Sequence, residues 1–220
     1  MVRSGILLID KPQGLTSHDV VDAVRRRFGI RRVGHSGTLD PLATGLLIIL
    51  VDKATSQFNR FTNFDKEYAA TLTMGTATDS GDSQGKVIAS AGYDGLTQDK
   101  ALAALKSLEG KIEQIPPMVS AVKHKGKPLY KLARKGITVE RKKRPIDIYS
   151  LELLRFSLPE IEFRVKCSKG AYIRSLGEEI ARRLGSCGHI SQIRRVSIGS
   201  YSVNQARTLD AFNENDIRPA

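Results

Sequence analysis

Asp40 is the lone carboxylate in the glycine-punctuated run GHSGTLDPLATG (34–45). Asp-Pro is good turn chemistry and Gly37 and Gly45 can supply unusual φ values, so a plain turn accounts for the pattern. The same pattern suits a carboxylate held on a rigid loop between a helix and a buried strand, and loops placed by a scaffold often carry catalysis. The run holds no second carboxylate and no histidine in a triad arrangement. The chain has no G-x-S-x-G elbow, no phosphate loop and no dinucleotide fingerprint. A lone carboxylate of this kind would act as nucleophile or base, without a metal. Tyr68 sits mid-strand, where an aromatic either packs with its hydroxyl bonded or stacks on a flipped base. Tyr172 and Arg174 lie in KCSKGAYIRSLG (166–177) and fall on one side at strand spacing. An arginine beside a buried aspartate keeps that aspartate ionised. His189 reads as a capping or packing residue.

The elements that must position these residues follow from local pattern. Gly5-Ile-Leu-Leu-Ile-Asp10 is a short buried strand, broken by Lys11-Pro12-Gln13-Gly14. Thr16 or Ser17 caps a helix to Phe28, with Val20, Val21, Val24 and Phe28 on its apolar face and Gly29 as its stop. The loop at 34–45 leads into a buried strand at 46–51. A strand over 66–74 ends in the acidic loop TDSGD (78–82). A helix over 97–108 turns Leu102, Leu105 and Leu108 inward and is closed by Gly110. Ile115-Pro116-Pro117 cannot be helical. Residues 123–128 form a basic turn before a short helix at 129–135. Strands at 146–156 and 161–167 pair around Pro159, and 175–184 is a helix. Strands and helices mix without regular βαβ alternation, so the fold class is α+β.

Charge narrows the partner. The chain of 220 residues carries 35 Lys plus Arg against 23 Asp plus Glu, a net of +12. Residues 25–32 hold five arginines and no acid, and residues 121–144 hold ten basic residues and one acid, Glu140. The rest of the chain has 20 basic and 22 acidic residues, so two patches carry the whole excess. That distribution points to a polyanion, nucleic acid above all. The two cysteines, Cys167 and Cys187, and the four scattered histidines have neither disulfide-framework nor zinc spacing. The longest apolar run is too short to span a bilayer and no signal peptide is visible, so a reduced, cytoplasmic protein is expected.

Six segments together resemble the TruB family of tRNA pseudouridine synthases. They are DKPQGLTS (10–17), GHSGTLDPLATG (34–45), KEYAATLTMGTATDSGD (66–82), QIPPMVSAVKHKGKPLYKLARKG (114–136), KCSKGAYIRSLG (166–177) and HISQIRR (189–195). They occur in the family's order over nearly the whole chain. The resemblance implies a pseudouridine synthase fold with a mixed, mainly antiparallel central sheet flanked by helices and loops. It implies isomerisation of uridine 55 in the tRNA T loop by base flipping, with no cofactor and no metal. Asp40 falls on the family's catalytic aspartate, Tyr68 on the tyrosine that stacks on the target base, and Arg174 on the aspartate's arginine partner. Tyr172 falls on the neighbouring pocket tyrosine and His35 on the histidine near the flipped nucleotide. Ile193 stands at a pocket-lining position resembling leucine in many members, and Val119 departs from a commonly aromatic position.

On this reading the T stem-loop of tRNA is the partner, and the protein acts as a monomer away from any membrane. The RNA backbone would be held by Arg31, Arg32, Lys123, Lys125, Lys127, Arg134, Lys142, Lys143 and Arg144. Residues 1–210 would form the catalytic domain and 211–220 a C-terminal tail, without the PUA-like domain that bacterial members usually carry. Two other functions remain open on the residues alone: an RNA-binding or RNA-folding protein without chemistry, and a nucleoside hydrolase-like enzyme that releases free uracil.

Overall fold

The computed structural model describes residues 4–120, 122–124, 126–133 and 135–220. Its elements in chain order begin with β1 (Gly5–Lys11), α1 (Ser17–Phe28), β2 (Val33–His35), β3 (Thr44–Val51) and α2 (Phe58–Thr62). There follow β4 (Lys66–Met74), β5 (Thr76–Thr78), β6 (Val87–Ser90), α3 (Gln98–Lys106), β7 (Gly110–Gln114), β8 (Lys123–His124) and β9 (Lys127–Pro128). The chain continues through α4 (Leu129–Ala133), β10 (Arg144–Ser157), β11 (Glu160–Cys167), α5 (Ile173–Arg183) and β12 (Gly188–Ile198) to β13 (Tyr201–Ser202) and β14 (Arg207–Thr208). The mixture is α+β, as the pattern predicts. It groups into two compact units, one of residues 1–69 with 192–220 and one of residues 70–191. Strands β4 and β12 each begin in one unit and end in the other.

In the first unit the sheet order is β14-β1-β3-β12, with β2 also on β3 and β13 on β12. β1 and β3 are antiparallel, with Ile6 opposite Leu50, Leu8 opposite Ile48 and Asp10 opposite Leu46. Ile6, Leu8, Leu46, Ile48 and Leu50 cluster with Phe61 and Ile198 on one face. Leu7, Ile9, Leu47 and Ile49 are equally buried on the other. Both strands therefore read as continuous apolar runs, the signature of a sheet covered on two sides. α1 begins at Thr16 in a full capping box with Asp19 and ends at Gly29 in the left-handed conformation. The last residues return to β1: Ile6 and Arg218 exchange backbone hydrogen bonds, and Phe212 and Ile217 are buried.

In the second unit the order is β12-β4-β11-β10-β7. β10 and β11 form an antiparallel hairpin across a cis Leu158–Pro159 bond, and Ile161, Phe163, Val165 and Cys167 all turn inward. Gly177 of α5 is required by close approach, since a Cβ there would lie 2.5 Å from Ile190 Cδ1 of β12. α3, Gln98–Lys106 with Thr97 as its cap, is shorter than the expected 97–108; Ala101, Ala104 and Leu105 are buried on it and Leu108 just beyond its end. Leu102 does not face inward as the sequence reading has it; it is 44% exposed. Positions 101, 104, 105 and 108 follow the helical repeat, and 102 falls off that stripe.

Three further local expectations change. The run at 34–45 is not all loop, because Gly34 and His35 belong to β2 and β3 already begins at Thr44. The basic turn at 123–128 is a two-residue-strand hairpin, β8 with β9. α5 begins at Ile173, two residues early, so Arg174 is helical and strand alternation does not relate it to Tyr172.

Candidate active site

Asp40 lies half-buried between β2 and β3 in the first unit, on a loop whose backbone is unusually well tied. Its own carbonyl accepts from Ala43 N–H at 3.0 Å, closing a turn with Pro41 at the second position. Gly14 N–H donates to Pro41 O at 2.8 Å. The Ser17 hydroxyl, buried at the start of α1, accepts from Leu39 N–H at 2.8 Å and donates to Leu39 O at 3.2 Å. Arg195 of β12 donates to Leu46 O at 2.7 Å, to Gly37 O at 3.2 Å and to Thr38 O at 3.5 Å. Arg195 is 1% exposed. It reaches this place because β12 runs parallel to β3 with Arg195 opposite Gly45. Gly45 has φ +100°, and a Cβ there would lie 2.3 Å from Arg195 O, so both the backbone conformation and the strand approach demand glycine.

Lys11, at the end of β1, is fully buried and donates to Pro12 O at 2.9 Å and Leu15 O at 2.7 Å. Burial pushes its ammonium down to about 8, Asp40 pulls the other way, and Arg195 adds repulsion. A negative and a positive side chain thus act on the same buried amine. His35 Nδ1 accepts from Gly37 N–H at 3.3 Å. Burial, together with the Arg195 charge, holds its imidazole below the usual range, so His35 is neutral at pH 7. Tyr68 is buried on β4 in the same unit, and Ile193 is buried on β12 with its carbonyl 3.5 Å from the Thr44 hydroxyl. Arg194 turns to the opposite side of the strand from Arg195 and makes a two-pronged pair with Asp10, at 2.7 and 3.0 Å.

The other two residues belong to the second unit. Tyr172 is the N-cap of α5. Its main chain is held on both sides by the buried Gln114 side chain, which accepts from Tyr172 N–H at 2.9 Å and donates to Tyr172 O at 3.2 Å. Arg174, 2% exposed, donates to Ser80 O at 2.8 Å and Val119 O at 2.7 Å, and its Nε lies 3.6 Å from the Asp82 carboxylate. Asp82 is itself buried and held by the Ser80 hydroxyl and Gln84 N–H. The Val119 contact runs through the backbone, so the unusual side chain at that position leaves it intact. Burial pushes the neighbouring Glu178 carboxyl up, while Arg174 and Arg141 oppose the rise. His189 packs as expected, with Nδ1 2.9 Å from Thr76 O.

The sequence pattern gives no site role to Lys11, Ser17, Arg195, Asp82 or Gln114; Ser17 is expected only as an alternative helix cap, and the cap is Thr16. All five stand inside the six motif segments; Lys11, Gln114 and Arg195 are polar residues beside apolar stretches, while Asp82 lies in a polar loop and Ser17 beside the cap of α1. Of the basic residues expected on RNA, Arg31, Arg32, Lys127, Lys142, Lys143 and Arg144 are exposed. Arg32 is bonded to the Thr55 hydroxyl, and Lys143 lies 3.8 Å from Glu113. Lys123 pairs through its backbone in the β8–β9 hairpin, while Lys125 and Arg134 lie outside the described residues. Arg25 and Arg27 serve the fold, bonded to Val33 O and to Asp210 O and Phe212 O. Among the described residues no three His, Cys, Asp or Glu side chains converge as a metal site, and no helix is long and apolar enough to cross a membrane.

The model of the TruB family pseudouridylate synthase N-terminal domain matches residues 25–173. The tRNA pseudouridine synthase B of Opitutus terrae is 45% identical over 208 residues, covering 94% of this chain and 86% of its own. Among solved structures, a chain of a Cbf5-Nop10-Gar1 complex superposes with a TM-score of 0.76 at 28% identity, over 98% of this chain and 60% of that one. A chain of an H/ACA RNP bound to a substrate RNA containing 2'-deoxyuridine superposes with a TM-score of 0.71 at 27% identity, over 95% of this chain and 52% of that one. This chain thus spans between half and two thirds of those two solved chains.

Proposed function

This chain belongs to the TruB family of pseudouridylate synthases, and from that premise we propose that it converts uridine 55 of the tRNA T loop to pseudouridine. The observation that carries the reading is the Asp40 carboxylate on a loop tied along its backbone, in the segment that resembles the family's catalytic one. A uridine inside a folded T loop is inaccessible, so it must be flipped out, at a cost of a few kcal/mol. On the roles the resemblance implies, Tyr68 receives the base by stacking, His35, Tyr172 and Ile193 bind the flipped nucleotide, and Arg174 is the partner of Asp40. The exposed basic residues hold the RNA backbone as a cytoplasmic monomer meets its substrate.

The chemistry balances with one carboxylate. The bond between uracil N1 and ribose C1′ breaks, and its electron pair stays on the base. Asp40 drives this step by attack on C1′ or by removal of the 2′ proton. The uracil turns in the pocket and C5 bonds to C1′, as the Asp40–C1′ bond breaks on the first route or the 2′ proton returns from Asp40 on the second, and the C5 hydrogen leaves as a proton while N1 gains one. Nothing is oxidised or reduced, so no cofactor is called for. A shaped site that excludes water suppresses hydrolysis to free uracil.

The test is Asp40→Asn, assayed by tritium release from [5-³H]uridine-labelled tRNA. The variant should bind a T stem-loop RNA with parental affinity and release no tritium. Release at the parental rate would remove Asp40 from the reaction. Free uracil as the main product of the parent would instead make the enzyme a hydrolase.

A further inference from the structure

We propose that Arg195 and Ser17 are positioning residues that fix where the Asp40 carboxylate points, an inference that rests on the reading of Asp40 as the reacting group. Five consecutive carbonyls, from Gly37 to Pro41, each have a donor: Arg195 for Gly37 and Thr38, Ser17 for Leu39, Ala43 N–H for Asp40 and Gly14 N–H for Pro41. Only two side chains take part, and both come from elements outside the loop. The two ends of the guanidinium also grip different things. Nε holds Leu46 O at the start of β3, and the Nη atoms hold the loop, so a single rigid plane joins the loop to the sheet.

The cost of this arrangement argues that it is selected for geometry. Arg195 is almost wholly buried, and its side-chain hydrogen bonds go to three main-chain carbonyls rather than to a carboxylate. A buried charge is expensive unless its donors are well satisfied. A planar fork of five N–H donors can satisfy carbonyls on two chain segments at once, whereas an ammonium on a flexible stem cannot reproduce that spread. If stability alone were at stake, an apolar side chain opposite Gly45 would fill the same space. What the guanidinium adds is a fixed distance between β3 and the residues immediately before Asp40.

The expected signature is a loss of turnover without a loss of RNA binding. Because displacement of a reacting group by about 1 Å can cost about 100-fold in rate, Arg195→Lys should lower kcat by that order per folded molecule. Its KM for tRNA should stay within about threefold of the parent, since a group acting only through the transition state leaves binding alone. Ser17→Ala removes one neutral hydrogen-bonding group and should lower kcat by about 10-fold in the same manner. Ile198→Ala provides the comparison: it loosens the same strand β12 in the apolar cluster away from the loop, and should lower Tm while keeping parental kcat per folded molecule.

Kinetics of tritium release and thermal unfolding are measured on all three, beside Asp40→Asn. Parental kcat in both Arg195→Lys and Ser17→Ala overturns the inference, as does a kcat loss in either that Ile198→Ala matches at equal loss of Tm. Should Arg195→Lys fail to fold, Ser17→Ala decides alone. If Asp40→Asn still releases tritium, the reading of Asp40 falls. If Asp40→Asn is inert while the other two are fully active, only the positioning role falls.

Discussion

Lys11 is the residue whose environment is most at odds with its type. It is an amine with no exposed surface, bonded to two carbonyls and placed in the fields of both Asp40 and Arg195. Its folded value of about 8 lies below the 10.5 of an ordinary lysine. Between those two values the unfolded chain holds a proton that the folded chain has released. Stability contributed through Lys11 therefore rises as pH climbs from about 8 toward 10.5 and is flat below, where both forms are charged. Urea unfolding of the parent and of Lys11→Met across that range isolates the effect, because the other titrating groups cancel in the difference. The difference should move in favour of the parent as pH rises. In Asp40→Asn the rise should begin at lower pH, because the carboxylate that favours the charged amine is gone. His35 belongs to the same set, neutral at pH 7 through burial and the Arg195 charge, and so offers the site a polar group without a second cation.

At the scale of elements, α3 tests the difference between composition and geometry. Leu102 and Leu105 are both leucines in one short helix, yet one is 44% exposed and the other 1%. Leu105→Ala should cost about 2–5 kcal/mol, and Leu102→Ala no more than about 0.5 kcal/mol, measured by denaturant unfolding. The elements that sequence pattern places well are those whose signals are local. β1 and α1 are set off by a breaker and a capping box, β4 runs between a loop and a glycine, and β10 with β11 is a hairpin whose inward residues alternate. β12 has no such signal. GHISQIRRVSI carries two arginines, a glutamine and a histidine, and is a strand held largely by partners far away in the chain, β3 and β4. The candidate site divides along the same line. Asp40 stands out because glycines and a proline surround it, but that pattern alone reads as a turn, and its place in the proposed site comes from the resemblance. Arg195, Ser17 and Gln114 do not stand out, because their importance lies in carbonyls contributed by remote segments.

Across the whole molecule the excess positive charge is confined to two stretches, and folding divides the labour inside the first of them. Arg25 and Arg27 close α1 and bind carbonyls, with Arg27 also stacked 4.4 Å from the Phe212 ring centroid; Arg26, Arg31 and Arg32 are exposed, as is Arg27 itself. The second stretch ends in Lys142, Lys143 and Arg144, all exposed at the start of β10. Lys143 makes a long contact with Glu113 at the surface, which contributes little. Replacing the three with alanine should weaken tRNA binding, with each lost phosphate contact reducing the salt slope by about 0.7–0.9. Turnover at saturating RNA should stay parental, because none of the three stands in the loop or its supports. Affinity measured by filter binding over a range of salt reads the first effect, and kcat for tritium release reads the second. An unchanged salt slope would show that this stretch faces away from the RNA.

The parallel pairing of β12 with β3 also sets a clock. Gly37 and the guanidinium that holds it are 158 residues apart in the chain. At ribosomal speeds of about 5–20 residues per second, Gly37 emerges about 8–30 s before Arg195 is even made. The Asp40 loop is therefore synthesised early and left without its brace while all of residues 70–191 are translated. The geometry proposed for Asp40 is therefore completed only after β12 has been made, and a nascent chain stalled ahead of β12 would carry Asp40 on an unbraced loop.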